Sequence, residues 1–214
     1  HLTKKSIPTP SAHTRKPEII ILVAAFSAFL ATFNETFLNV AFSPIMTDLG
    51  VGVSLVQWLA TAYMLGAAVM VPVSAFLYRS VPTKRLYLIS VGLLITGSVI
   101  GALAMNFPIL LTGRIIQALG TGMLIPIGMN ITLEVAPKRK LGTYMGIMGA
   151  MTTLGPSSSV IVAGALLSFF NWHMLLWVFA GMSTVCFICG ACLLNNVAEL
   201  THPKLDIAST ALIS

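Results

Sequence analysis

Residues 108–133 read PILLTGRIIQALGTGMLIPIGMNITL. A bilayer core of about 30 Å is crossed by about 20 apolar residues in an α-helix, so this run is long enough to span, and Arg114 is its one charged side chain. An arginine at that depth is stable only where it faces a partner or water. Gln117 and Thr121 follow it at i+3 and i+7 and share its side of the helix. The stretch therefore predicts a membrane helix that turns a polar face, centred on Arg114, toward a protein interior.

Five further apolar runs flank it, at Ile19–Phe42, Leu55–Leu77, Leu86–Ala104, Leu141–Phe169 and Trp172–Leu194. In hydrocarbon the backbone must satisfy its own hydrogen bonds, and none of the runs alternates as a barrel strand does, so all six spans are expected to be helical. Only 8% of the residues are charged and 57% are apolar, whereas a soluble domain carries about 25% charged residues. A water-soluble fold is excluded. The expected fold class is an all-α membrane protein, a six-transmembrane-helix bundle.

The connections set its orientation. Lys4, Lys5, Arg15 and Lys16 precede span 1; Arg79, Lys84 and Arg85 join spans 2 and 3; Lys138, Arg139 and Lys140 join spans 4 and 5; Lys204 follows span 6. The opposite loops, around Thr47–Ser54, Met105–Phe107 and Phe170–Asn171, hold no Lys or Arg. Both ends are thus expected in the cytoplasm and the bundle in the plasma membrane. Trp58 and Trp172 fall at the outer boundary and Tyr78, Tyr87 and Tyr144 at the inner one, which predicts an interfacial aromatic belt. Residues 1–18, polar and without an apolar signal core, read as a cytoplasmic tail. Residues 195–206 read as a cytoplasmic linker, and the short apolar run 207–214 as the truncated start of a seventh span. The basic residues lie in flanking clusters and form no continuous stripe, so the net charge of +6 points to no nucleic-acid partner.

Span 1 holds the one deeply placed carboxylate, Glu35. At 1.5 Å per residue it lies about 10–15 Å from the outer end of its helix, and Arg114 about 9 Å from the outer end of its own. At 100° per residue Thr32, Glu35, Thr36, Asn39 and Ser43 share one stripe, which Ala25 and Ala28 continue inward. The stripe is expected to face the interior, where Glu35 and Arg114 meet at matching depth around a wet cavity. Apolar walls favour the neutral carboxyl and a nearby guanidinium the charged one. A carboxyl under both influences can be switched by a solute, as coupled proton and solute movement requires. The bland alternative is a buried structural ion pair or a snorkelling arginine.

In span 5, Gly142, Gly146, Gly149, Thr153, Pro156, Val160 and Gly164 project along one line and predict a smooth groove for close helix packing, with Gly155-Pro156 permitting a kink. Direct solute contact is the other reading of this face. Cys186, Cys189 and Cys192 lie in span 6 with no His, Asp or Glu beside them and read as packing thiols, so neither a disulfide nor a metal site is expected. No nucleophile elbow, phosphate loop or metal set is present, and the four histidines lie in the tail, the linker or the outer interface. An enzyme is not expected.

These features resemble the major facilitator superfamily, and within it the drug:proton antiporters with fourteen spans. Phe33-Asn34-Glu35-Thr36-Phe37-Leu38-Asn39-Val40-Ala41 is similar to the LDxTIVNVALP signature, with Asn34 in place of Asp and the acid at Glu35. Leu111 to Gly122 is similar to RxxQGxGxG, with Ala118 for a Gly. Gly146 to Gly164 resembles the antiporter motif of span 5: Gly155-Pro156 matches its first GP, Ser159-Val160 stands for the second and Ala163-Gly164 for the closing pair. Ala75 to Arg85 occupies the place of GxLaDrxGrrx, with Arg79 where Asp is usual and the basic pair Lys84-Arg85 kept.

The resemblance implies one half of a major facilitator fold, the amino-terminal bundle of a proton-coupled exporter of drugs or other small amphipathic solutes. The partners are then lipid, a small solute, protons and a carboxy-terminal half or partner chain. The proton gradient is the driving force and no cofactor is used. Glu35 and Arg114 would handle charge; Asn34, Asn39, Gln117 and Thr121 would contact solute or water; Gly146, Gly149, Gly155, Pro156 and Gly164 would form the antiporter-motif helix; Arg79, Lys84 and Arg85 would form the cytoplasmic loop motif. Two alternatives stay open: a transporter of organic or amino-acid anions anchored by Arg114, and a non-transporting half that pairs with a separate chain.

Overall fold

The computed structural model describes residues 16–194. The expected linker and seventh-span start, and the tail up to residue 15, lie outside the described residues. Span 1 is α1 (Lys16–Phe37), a 3-10 turn at Leu38–Ala41, and α2 (Phe42–Leu49). A short α3 (Val53–Val56) precedes span 2, α4 (Trp58–Ser80); spans 3 to 6 are α5 (Thr83–Ala102), α6 (Phe107–Val135), α7 (Leu141–Phe169) and α8 (His173–Leu193). Among the described residues there is no strand, and six helical segments are long and apolar enough to cross a membrane.

The helix ends follow from local chemistry. α2 closes on Gly50, whose left-handed φ of 66° suits a residue without Cβ. Helix therefore runs to Leu49, into what sequence reading took as the outer loop. α6 begins with Asn106 Oδ1 accepting from the Ile109 amide at 3.1 Å, which satisfies one of the free donors of the first turn. At its other end Pro137, without an amide hydrogen, stops the ladder.

Packing is built on small residues. α5 lies against α6 and α8; α1 lies against α7, α6 and α8; α4 lies against α6. A Cβ on Gly97 would stand 2.5 Å from the Gly113 carbonyl oxygen, and one on Gly113 would stand 2.6 Å from the Gly97 carbonyl oxygen, so α5 and α6 meet backbone to backbone. Gly122 sits in the same way against Ala67 of α4, and Gly155 against Thr32 and Phe33 of α1.

Three expectations are corrected here. The stripe of Gly142, Gly146, Gly149 and Gly164 packs on nothing among the described residues. The buried face of α7 is instead Met148, Gly155, Ser159 and Ala163, one helical step away. Trp172 is buried, 2% exposed, and its indole N–H donates to Asp48 Oδ2 at 2.9 Å, so it joins the span 5–6 turn to α2 and is no lipid-facing belt residue. Tyr87 is also fully enclosed: Gly190 leaves room for its ring, and its hydroxyl bonds Ser27 Oγ at 2.5 Å and Cys186 Sγ at 2.8 Å. A buried hydroxyl and a thiol thus partner one another, as buried polar groups must. Trp58 is half-exposed at the start of α4.

Candidate functional site

The close approaches of α6 bring four helices to one polar cluster. Because Gly97 has no side chain, Gln117 fits against α5 and its Nε2 donates to Ser98 Oγ at 2.8 Å. Because Gly122 admits α4, Tyr63 reaches the next turn of α6 and shares a hydrogen bond with Thr121 Oγ1. α1 supplies Asn34 and Glu35.

Arg114 is at the centre and only 1% exposed. Nη1 donates to Asn34 Oδ1 at 3.0 Å and to Gln117 Oε1 at 3.2 Å, and Nη2 donates to the Glu35 backbone carbonyl at 3.0 Å. Its Cζ lies 3.9 Å from the centroid of the Tyr63 ring, and its Nε is buried without a hydrogen-bond partner. Asn34 Nδ2 donates to the Tyr63 hydroxyl at 3.0 Å. The carboxamide therefore accepts from the cation and donates to the phenol at once, which a carboxylate could not do.

The expected meeting of Arg114 with the Glu35 carboxylate takes a different form. The guanidinium bonds the main chain of Glu35 and not its carboxylate, and the residue, half-buried, lines a cavity of about 260 Å³ together with Tyr63, Met64, Ala67, Val71 and Ile125. At 100° per residue, positions 34 and 35 point to different sides of α1: one enters the cluster and the other the cavity. Apart from Glu35 and Tyr63, the residues that line it are apolar.

The remaining expected residues divide. Gln117 and Thr121 are buried in the cluster. Asn39 falls in the 3-10 turn, half-buried, with its Oδ1 unbonded, and does not join Arg114. The 3-10 turn also ends the interior stripe of span 1: Thr32 bonds back to its own helix, Thr36 bonds Ser159 of α7 at 2.5 Å, and Ser43 is exposed. Gly155 packs on α1 and Pro156 lies within continuous α7, while Gly146, Gly149 and Gly164 stand open. Arg79 and Arg85 are exposed and Lys84 is partly buried at the junction of α4 and α5, apart from the cluster. Among the described residues no three of His, Cys, Asp or Glu converge as metal ligands would.

Tyr63, Ser98 and Ser159 were missed by sequence reading. The signal for Tyr63 was a lone phenol well inside an apolar run, where a hydroxyl needs a partner. Ser98 and Ser159 carry no such signal, because a serine can bond its own helix, as Ser98 also does to Leu94.

Comparison with known proteins adds the family. The family model described as Major Facilitator Superfamily matches residues 24–211. The lincomycin resistance protein LmrB of Bacillus subtilis (strain 168) is 36% identical over 90% of this chain and 40% of its own length. The multidrug resistance protein B homolog of Mycobacterium tuberculosis (strain CDC 1551 / Oshkosh) is 31% identical over 73% of this chain and 28% of its own. The chain thus spans about two-fifths or less of these relatives. A crystal structure of the peptide transporter POT in complex with sulfate superposes with a TM-score of 0.73 over 93% of this chain and 44% of that one, at 15% identity, a likeness of fold alone.

Proposed function

Given that the chain belongs to the Major Facilitator Superfamily, we propose that it forms the amino-terminal six-helix bundle of a plasma-membrane exporter that exchanges protons for drugs or other small amphipathic solutes. The observation that carries this reading is the placement of Glu35: an acidic residue on the wall of a largely apolar cavity, whose own main-chain carbonyl group holds a buried guanidinium. A solute that enters changes the surroundings of the carboxyl, and release of its proton changes the charge the solute meets. The cavity would lie between this bundle and a second one that rocks against it. The names of the relatives, resistance to lincomycin and to multiple drugs, support export of such compounds.

The anion reading loses ground on the same geometry. The Arg114 donors that bond are turned to Asn34, Gln117 and the Glu35 carbonyl, and the acidic side chain is the one on the cavity wall. An anion would meet a carboxylate first.

The test is transport by inverted membrane vesicles from cells expressing the complete coding region, with and without a proton gradient. Glu35→Gln is expected to lower gradient-driven uptake of a lincosamide or a fluorescent amphipathic cation about a hundredfold, in the range typical for loss of a proton-transfer group. Unchanged gradient-driven uptake overturns the reading.

A further inference from the structure

Among the described residues, Tyr63 joins Glu35 in belonging both to the cavity wall and to the immediate surroundings of Arg114. Its ring covers a face of the guanidinium, its hydroxyl takes the Asn34 amide hydrogen, and Asn34 Oδ1 takes a hydrogen from Arg114. The phenol thereby fixes the orientation of the carboxamide as well as the position of the cation. Every acceptor that Arg114 uses is neutral. The Glu35 carboxylate, on the same residue whose carbonyl Arg114 bonds, is the stronger acceptor for a guanidinium and is left out.

We propose that Tyr63 is a positioning residue that holds Arg114 on the main-chain side of α1 and keeps the Glu35 carboxyl free to face the cavity. Without the ring and the hydroxyl, the Asn34 amide turns, the guanidinium is released, and it closes on the carboxylate as a bidentate pair. A solute seated in the cavity meets Tyr63 on its wall, so its presence reaches Arg114 through that residue. This use in transport rests on the exporter reading; the placement of the carboxyl does not, and it can be measured without any transport.

The measurement is the rate at which dicyclohexylcarbodiimide modifies Glu35 in membranes holding the complete chain, followed by peptide mass mapping that separates it from the other carboxyls, Glu18, Asp48, Glu134, Glu199 and Asp206 among them. The titratable side chains at the cluster are Glu35 of α1, Tyr63 of α4 and Arg114 of α6; α5 presents Ser98, α7 presents Ser159, and α8 contributes Phe179 beside Phe33. The reagent takes the protonated, unpaired carboxyl. Tyr63→Phe, which keeps the ring, is expected to label within threefold of the unaltered protein. Tyr63→Leu is expected to label about tenfold more slowly, the size of an ordinary coupling between neighbouring residues. Tyr63→Met serves the same end if the leucine variant does not fold. Adding Arg114→Gln to the slow variant is expected to restore labelling, which a packing role for Tyr63 would not produce. Labelling of Tyr63→Leu or Tyr63→Met at the original rate, no labelling of the unaltered protein, or no restoration in the double variant would each overturn the proposal. Restored labelling with gradient-independent transport would instead sink the exporter reading and leave Tyr63 in its place.

Discussion

Residues 34 and 35 are neighbours that point to different sides of α1, and that direction gives the sharpest expectation. Moving the acid by one position, in Asn34→Asp combined with Glu35→Gln, restores a carboxyl to span 1 but turns it into the buried cluster, where it pairs with Arg114 3.0 Å from Nη1. Proton-driven uptake in vesicles is expected to stay as low as in Glu35→Gln alone; recovery to within about threefold of the original rate would show that the side of the helix does not matter. Sequence reading found Arg114, Gln117, Thr121, Asn34 and Glu35 because charge and amide groups are conspicuous in apolar runs. It did not find which atom of Glu35 Arg114 would touch, since a main-chain carbonyl group is present at every residue and leaves no mark in the sequence.

At the scale of the helix, α7 shows where periodicity ends as a guide. Glycines at 142, 146, 149 and 164 align, and the alignment alone does not say whether the line is covered. The contact falls on Gly155, where a Cβ would stand 2.9 Å from the Phe33 amide nitrogen and 3.0 Å from the Phe29 carbonyl oxygen. Gly155→Ala is expected to destabilise the bundle by about 1–3 kcal/mol through overpacking, whereas Gly149→Ala, with nothing within 4 Å, is expected to leave it unchanged or slightly more stable through better helix propensity. Thermal melting in detergent micelles checks both; equal losses would place the stripe, and not Gly155, at the packed face. A leucine at Gly113 is expected to do more, parting α5 from α6 and abolishing a folded melt, because its neighbours are the backbone atoms of Gly97 and Gly101. The spans themselves were legible: α7 coincides with the run Leu141–Phe169 and α6 differs from its run by a few residues, since hydrocarbon thickness sets helix length directly. The 3-10 turn at Leu38–Ala41 was not, because no proline or glycine marks it.

Across the whole molecule, α4 and α7 are the least enclosed spans, and Met64, Leu65, Val69 and Phe76 of α4 with Leu154, Val160 and Ile161 of α7 stand exposed. Lipid or an apolar partner must cover them. The basic junctions predict sidedness: in a background lacking Cys186, Cys189 and Cys192, Arg139→Cys is expected to react with an impermeant maleimide from the cytoplasmic side and Met105→Cys from outside. The reverse pattern would invert the bundle. The count of Lys and Arg in the loops carries the expected orientation, while the lateral surroundings of a helix were not legible, because lipid and protein interior are equally apolar. The neutral company kept by Arg114 has an electrical consequence. With its proton on, Glu35 leaves itself and Arg114 with one net positive charge; with the proton off, the two sum to zero. A membrane voltage acts on an elementary charge with about 2.3 kcal/mol per 100 mV, so under the proposed proton exchange it would drive the loaded form of this site and leave the unloaded form untouched.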